Sequence, residues 1–325
     1  SGGGAGWVLA QWAVDGEAPL DLWTVDIRRF SGLHRDRDWV CARTLEAYGK
    51  HYTIAWPFEE HSSGRPCRRS PLYAHLKEQH ACFGEKLGWE RPNWFADPSA
   101  GEAPEDRYSY GRQNWFAAVG REHKATRESV TIFDQTSFAK FTVKGPDAEA
   151  ALTWICANDV TKAPGNLTYT QMLNDRGGIE CDLTVARVAR DEFYIVTGTG
   201  FATHDFDWIS RNIPAGLNAQ IVDVTSSNAV LVLMGPKARD VLAAVTRDDV
   251  SNASFPFGQV RRIGISGCPV LALRVTYVGE LGWELHLPVE YAVNVYEALM
   301  RAGAAYGISN AGYRAIESLR LEKGY

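Results

Sequence analysis

From Phe133 to Leu287 the apolar residues recur at every second position in short runs, broken by turns that carry glycine and proline, and this feature restricts the fold more than any other. Alternation sends successive side chains to opposite faces of a pleated strand, so each run needs at least one covered face. The runs predict strands over Phe138–Val143, Tyr169–Leu173, Leu183–Val188, Phe193–Thr197, Ala219–Val224, Ala229–Met234, Val270–Tyr277 and Trp283–Leu287. Helices are expected after Gly145-Pro146, Ala202, Gly235-Pro236 and Pro288, since the fixed φ of proline suits a first helical turn. Short strands and helices in mixed order point to an α+β fold with antiparallel pairing. The two Gly-Pro starts, each followed by Ala and Leu or Val, hint at a duplicated strand-helix unit.

The 325 residues, 45% apolar and 22% charged, can bury a substantial core, with room for about two domains at roughly 150 residues each. The formal net charge is -5, without long blocks of either sign, so the chain lacks the basic face that nucleic acid requires. No apolar run approaches the roughly 18 residues that span a bilayer, and Ser1 to Gly6 carry no charged leader. A soluble protein of bacterial cytoplasm or an organelle matrix is expected, with no membrane partner. The six cysteines are scattered, with no C-x-x-C pair and no histidine at ligand spacing, so neither a metal site nor a disulfide framework is expected.

Gly2, Gly3, Gly4 and Gly6 run into Trp7, Val8, Leu9, Trp12 and Val14, an apolar pattern at helical spacing closed by Gly16 and Pro19. A glycine turn feeding a helix lets a phosphate or flat ring approach the backbone, although G-x-G-x-x-G needs a strand ahead of it and none stands here. Ala311 to Tyr325 reads as another helix, and further chain is expected on both sides. Between about Pro19 and Pro104 there is little periodicity but much Trp, Arg and Pro, which reads as an irregular segment tied to its neighbours by stacking and ion pairs. Ser99 to Asp106 is the linker candidate.

Two hairpins carry the residues best suited to chemistry. In Tyr169 to Val185, the turn of Asn174, Asp175, Arg176, Gly177 and Gly178 joins two alternating runs, with Glu180, Asp182 and Thr184 opposite Ile179, Cys181, Leu183 and Val185. Asp182 is either a solvated outer carboxylate or a charge held by burial. In Tyr277 to Leu285, Glu280 and Glu284 offer acceptors for a heteroaromatic ligand and Tyr277 and Trp283 offer stacking faces, unless the segment is simply a hairpin. His123, His204 and His286 lie far apart and suggest no triad.

At these hairpins the chain resembles the aminomethyltransferase fold of the glycine cleavage T-protein. Over its whole length, through Asp26 to Phe30, Gly88 to Phe95, Phe133 to Phe141, Tyr277 to Glu284 and Leu321 to Tyr325, it resembles an internal piece of a sarcosine or dimethylglycine dehydrogenase. That resemblance implies a flavin-domain remnant at 1–30, a central connecting domain at 31–104 and a T-protein-like folate domain at 105–325 without its final barrel. It implies a parent with FAD and tetrahydrofolate that oxidises an N-methyl amine to an iminium and captures the carbon as 5,10-methylenetetrahydrofolate, its electron acceptor undetermined. Carried over by position, Asp182 is the acid near folate N10, Tyr169, Tyr277 and Tyr325 pack around the folate, and Glu284 receives N–H bonds from the pterin. Gly3, Gly4 and Gly6 match the last glycine turn at the flavin. Ile316 and Glu317 stand where T-proteins carry Arg-Asp, so that arginine contact does not transfer. A stand-alone aminomethyltransferase and a non-catalytic regulatory relative remain the alternatives; the residues before Pro104 speak against the first and Asp182 against the second.

Overall fold

The computed structural model describes residues 2–325. At the N-terminal side lie α1 (Gly2–Asp15) and α2 (Arg37–His51), neither of which buries a side chain. Asp36 starts α2 by accepting the Trp39 N–H at 2.8 Å, the usual service of an N-cap carboxylate. The segment read as irregular is irregular only in part. It contains α3 (Tyr73–Glu78) and an antiparallel hairpin of β1 (Ala81–Lys86) and β2 (Trp89–Phe95). Its two-residue turn is Leu87 at φ 49 and Gly88 at φ 80, matching the twist of paired strands. Pattern reading missed the hairpin because β2 buries polar residues: Arg65 forks onto Glu90 at 2.8 and 2.6 Å, and Asn93 donates to Glu60 at 2.9 Å.

After α4 (Phe116–Glu128) and β3 (Thr131–Asp134) the chain repeats one plan. A strand, a Gly-Pro turn, a helix, three strands and a helix occur first as β4 (Ala139–Lys144), α5 (Ala148–Ile155), β5 (Leu167–Leu173), β6 (Ile179–Ala189), β7 (Glu192–Thr197) and α6 (Ala202–Asn212), before β8 (Gln220–Asp223). They recur as β9 (Asn228–Met234), α7 (Ala238–Val245), β10 (Val260–Ile265), β11 (Cys268–Leu273), β12 (Gly282–Pro288) and α8 (Ala292–Gly303), before β13 (Ser309–Asn310) and α9 (Tyr313–Lys323). The sheet orders correspond, β5-β6-β7-β4-β8 against β10-β11-β12-β9-β3-β13, so the duplication hinted by the Gly-Pro pairs is present in the fold. Both glycines are obligatory. Gly145 and Gly235 sit at φ +139 and +134, where a Cβ would lie 2.1 Å from the Asn218 carbonyl oxygen and 2.3 Å from that of Ser129.

The two sheets face each other. Leu167, Ala186, Tyr194 and Val196 of the first meet Val260 and Leu273 of the second. The first sheet's outer face packs Phe141, Leu183 and Ile195 against Leu152 and Ile209 of α5 and α6, and the second's packs Leu231, Trp283 and Leu285 against Val241 and Leu299 of α7 and α8. One difference from expectation matters for function: β11 ends at Leu273 rather than reaching Tyr277. The Val275 N–H bonds the Leu273 carbonyl at 3.1 Å, a three-residue turn that throws 274–281 out as a loop. Among the described residues no helix is long and apolar enough to cross a membrane.

Glu122 joins the hairpin to the folded body. Buried on α4, it accepts the Phe95 N–H at 2.6 Å and the Gly312 N–H at 2.8 Å, and burial pushes its carboxyl up to about 8. Between its ordinary value near 4.5 and about 8 the folded state holds a proton that the unfolded state has released, so stability from this group is present at low pH and lost as pH rises through that window. Glu122→Gln, neutral throughout, should therefore gain thermal stability on the wild type as the buffer goes from about pH 5 to pH 8. Parallel melting curves across that range would exclude this role.

Candidate functional site

The β5–β6 turn is built by Asn174, whose Oδ1 accepts the N–H of Arg176 at 3.0 Å and of Gly178 at 2.9 Å while Gly177 takes φ +76. That turn fixes the register in which Gln171 faces Asp182, and Gln171 Nε2 donates to Asp182 Oδ1 at 3.0 Å. Asp182 is exposed, on the strand face opposite buried Cys181 and Leu183. Of the two readings left open for it, the outer carboxylate is the one observed. Tyr169, opposite Thr184, stands on the same face, and its hydroxyl is pushed up to about 12, first by loss of water and then by the Asp182 carboxylate.

The loop after β11 brings the second pair. Tyr277 stacks on Tyr325 with centroids 5.6 Å apart and planes at 19°. Gly324 makes this possible: at φ +92 it closes α9, with the Gly324 and Tyr325 N–H groups returning to the Arg320 carbonyl at 2.9 and 3.1 Å. Burial raises the Tyr277 hydroxyl, Arg320 opposes this, and the charges of Glu317 and Asp182 add to the rise. Tyr325 contributes in turn to the shift of Tyr169. Tyr169, Asp182, Tyr277 and Tyr325, from separate stretches of chain, therefore share one mouth.

Glu284 lies on the inner face of β12 with its side chain 15% exposed, and its hydrogen bond is to His286 Nε2 at 3.2 Å rather than to any of those four. Trp283 is fully buried between the second sheet and its helices, so it presents no stacking face to a ligand; alternation from Glu284 sends it the opposite way. Glu280 is not a free acceptor either, since it holds Arg127 at 2.9 Å. Gly3, Gly4 and Gly6 lie inside the first two turns of α1 instead of in a turn ahead of it, with open space around each. Ile316 packs into the core with Phe133 and Val232, and the cation that influences Tyr277 is Arg320, one turn later.

Residues that spacing did not single out organise the mouth. Arg127 is the chief one. Its guanidinium donates to the Val278 carbonyl at 2.6 Å, Glu280 at 2.9 Å, the Leu319 carbonyl at 3.2 Å and Glu322 at 3.1 Å, tying the Tyr277 loop to α9. His286 and Tyr194 back Glu284, a pairing whose signal was the two-residue spacing of Glu284 and His286 on a strand. Elsewhere Cys181, His204 and Asp205 bring ligand-type atoms within 4.8 Å. Asp205 there is already satisfied by Thr197 Oγ1 at 2.6 Å and His204 Nδ1 at 2.9 Å, the arrangement a buried carboxylate requires without an ion. A cavity of about 430 Å³ lined by Arg28, Arg68, Trp89, Thr199 and Thr225 touches none of the mouth residues. Convergent polar and aromatic groups, rather than volume, define the candidate site.

The fold is that of one family. The family model described as GCVT N-terminal domain matches residues 72–325, and the chain belongs to that family. Residues 15–70 match the FAD dependent oxidoreductase central domain. The chain is 42% identical over 322 residues to 4-methylaminobutanoate oxidase (formaldehyde-forming) of Paenarthrobacter nicotinovorans, covering 99% of this chain and 39% of that protein. It is 37% identical over 361 residues to the mitochondrial sarcosine dehydrogenase of Mus musculus, covering 100% of this chain and 39% of that protein. The chain thus spans about two fifths of the length of those relatives. Among solved structures, glycine cleavage system aminomethyltransferase T from Bartonella henselae superposes with a TM-score of 0.63 at 28% identity, over 79% of this chain and 63% of that one. The α+β aminomethyltransferase fold expected from the two hairpins is therefore the fold observed.

Arg127 gives the site its sharpest structural test. A charged hydrogen bond is worth about 1.5–3 kcal/mol, and lysine cannot fork to four acceptors. Arg127→Lys should raise amide exchange about tenfold in 276–281 and in the last turn of α9. Exchange unchanged from wild type would show that the loop is held by something else.

Proposed function

We propose that this chain is the one-carbon-accepting part of an oxidoreductase acting on N-methyl amines, holding tetrahydrofolate at the mouth formed by Tyr169, Asp182, Tyr277 and Tyr325, with Glu284 on the inner face of the facing sheet as a further acceptor. The observation that carries the reading is the convergence of an exposed carboxylate with three tyrosines on an aminomethyltransferase fold. The names of two relatives, for a methylamino acid and for sarcosine, support the N-methyl amine class. In the whole protein the oxidation belongs to a flavin. The described residues do not fit that group, since Gly3, Gly4 and Gly6 are helical with open space about them.

The mouth does fit a folate. Flat aromatic faces suit a pterin or benzoyl ring, and Glu284 suits its N–H groups. When bound, tetrahydrofolate supplies nitrogen nucleophiles that take the methylene as 5,10-methylenetetrahydrofolate. The chain's own residues do the rest. The Asp182 carboxylate attracts the iminium, a methylene double-bonded to a positively charged amine nitrogen. It also accepts the proton released as the methylene is captured and the demethylated amine leaves. The tyrosines narrow the mouth and exclude water, which would otherwise hydrolyse the iminium to formaldehyde. Glu284 orients the ring from the facing sheet.

Calorimetric titration of the full-length protein with 5-formyltetrahydrofolate tests this reading. Saturable binding is expected, weakened about tenfold or more in Glu284→Gln, because a charged hydrogen bond is worth about 1.5–3 kcal/mol. Asp182→Asn should bind nearly as the wild type yet release more formaldehyde per amine oxidised when folate is present. Absence of binding to the wild type would refute the reading. Formaldehyde release insensitive to folate would leave this protein with the product that the Paenarthrobacter relative's name states.

A further inference from the structure

Behind Glu284 runs a chain of buried hydrogen bonds that the proposed reaction does not by itself require. Glu284 Oε2 is 3.2 Å from His286 Nε2, and His286 Nδ1 is 3.1 Å from the Tyr194 hydroxyl. Only Glu284 reaches solvent appreciably, its side chain 15% exposed, while His286 at 1% and Tyr194 at 7% are buried behind it. Three strands contribute or surround it: β12 carries Glu284 and His286 two residues apart on one face, β7 carries Tyr194, and Lys140 of β4 adds the remaining nearby charge. Glu284 and His286 face the first sheet, where Tyr194 belongs to the apolar contact between the sheets.

The protons on this chain can be placed by elimination. An ionised carboxylate only accepts, so Nε2 must carry the hydrogen that faces Glu284. Burial lowers His286, and the Lys140 charge adds to that, against the opposing pull of Glu284; the imidazole is neutral and its Nδ1 is a lone pair. The Tyr194 hydroxyl, held protonated by burial, is then the donor to Nδ1. Every bond points the same way, from Tyr194 through His286 to Glu284. The Glu284 carboxylate already favours a hydrogen on Nε2, and Tyr194, by donating to Nδ1, reinforces that tautomer and holds the ring in place; the other tautomer would set a lone pair against a carboxylate.

We propose that His286 and Tyr194 are positioning residues for Glu284: they select one imidazole tautomer, fix Oε2 of the carboxylate, and leave Oε1 aimed at a ligand. Among the described residues no protein group donates to Oε1, so its acceptor capacity is free for a ring N–H. A carboxylate already fixed loses less side-chain freedom when a ligand arrives, a difference of about three- to tenfold in affinity. This inference rests on the folate reading of Glu284, and the experiment separates the two.

The measurement is titration of the full-length protein with 5-formyltetrahydrofolate, each variant accompanied by a thermal melt, in a double-mutant cycle. Tyr194→Phe and His286→Leu should each weaken binding about three- to tenfold. His286→Gln, which keeps one donor and one acceptor, should restore most of the loss. In a Glu284→Ala background, Tyr194→Phe should have no further effect, which a merely structural role would not produce. If His286→Leu fails to fold, the Tyr194→Phe cycle decides alone. Equal losses with and without Glu284 would overturn the positioning role, as would a loss in Glu284→Ala with none in Tyr194→Phe. Unchanged binding in Glu284→Ala would overturn this inference together with the folate contact of Glu284, whereas no binding to the wild type would overturn the folate reading itself.

Discussion

The guanidinium of Arg127 is the point on which the mouth depends. It stands on α4, outside both sheets, yet reaches the carbonyls of Val278 and Leu319 and the carboxylates of Glu280 and Glu322. Each of these acceptors belongs either to the loop that carries Tyr277 or to the helix that carries Tyr325. Because β11 ends at Leu273, well before Tyr277, the middle of the loop is held by the burial of Val278 against α9 and by the polar contacts of Arg127 rather than by a strand ladder. One planar fork with several donors satisfies both partners at once, which a point charge on a flexible stem does less well. The aromatic pair is therefore a consequence of a polar contact some distance from either ring.

Around that anchor the duplicated plan supplies the site's two sides. The first unit contributes the hairpin with Tyr169 and Asp182, and the second contributes the loop and strand with Tyr277 and Glu284. Because the sheets meet through apolar residues such as Leu167, Ala186, Val260 and Leu273, any polar side chain on an inner face must be at the edge of the contact or be partnered within it. Asp182 takes the first solution and is exposed. Glu284 and His286 take the second, with Tyr194 as the last partner. Charge at the mouth and ordered hydrogen bonds behind it thus follow from one geometric condition.

How much of this was legible depended on whether the signal was local. The β5–β6 hairpin could be read because Asn174, Gly177 and Gly178 set the turn and the alternation after it sorts Asp182 from Cys181 and Leu183. The duplication showed only as two Gly-Pro pairs, since the demand for glycine arises from carbonyls of Asn218 and Ser129, distant in sequence. The β1–β2 hairpin was hidden because Glu90 and Asn93 are buried against Arg65 and Glu60, partners that no period reveals. The end of β11 was misread for the opposite reason: Val275 and Tyr277 look like strand residues, and the break after Leu273 is a backbone event without a marker residue. Trp283 was legible and misassigned, its parity with Leu285 and Leu287 having pointed to the core.

A crystal structure of the full-length protein with 5-formyltetrahydrofolate tests the central claim most directly. The account predicts the ring system against Tyr277 and Tyr325, with a ring N–H within hydrogen-bonding distance of Glu284 Oε1 and His286 still on Oε2. A ligand seated instead in the cavity beside Arg68 and Trp89, or one that leaves Glu284 without a ring contact, would contradict it.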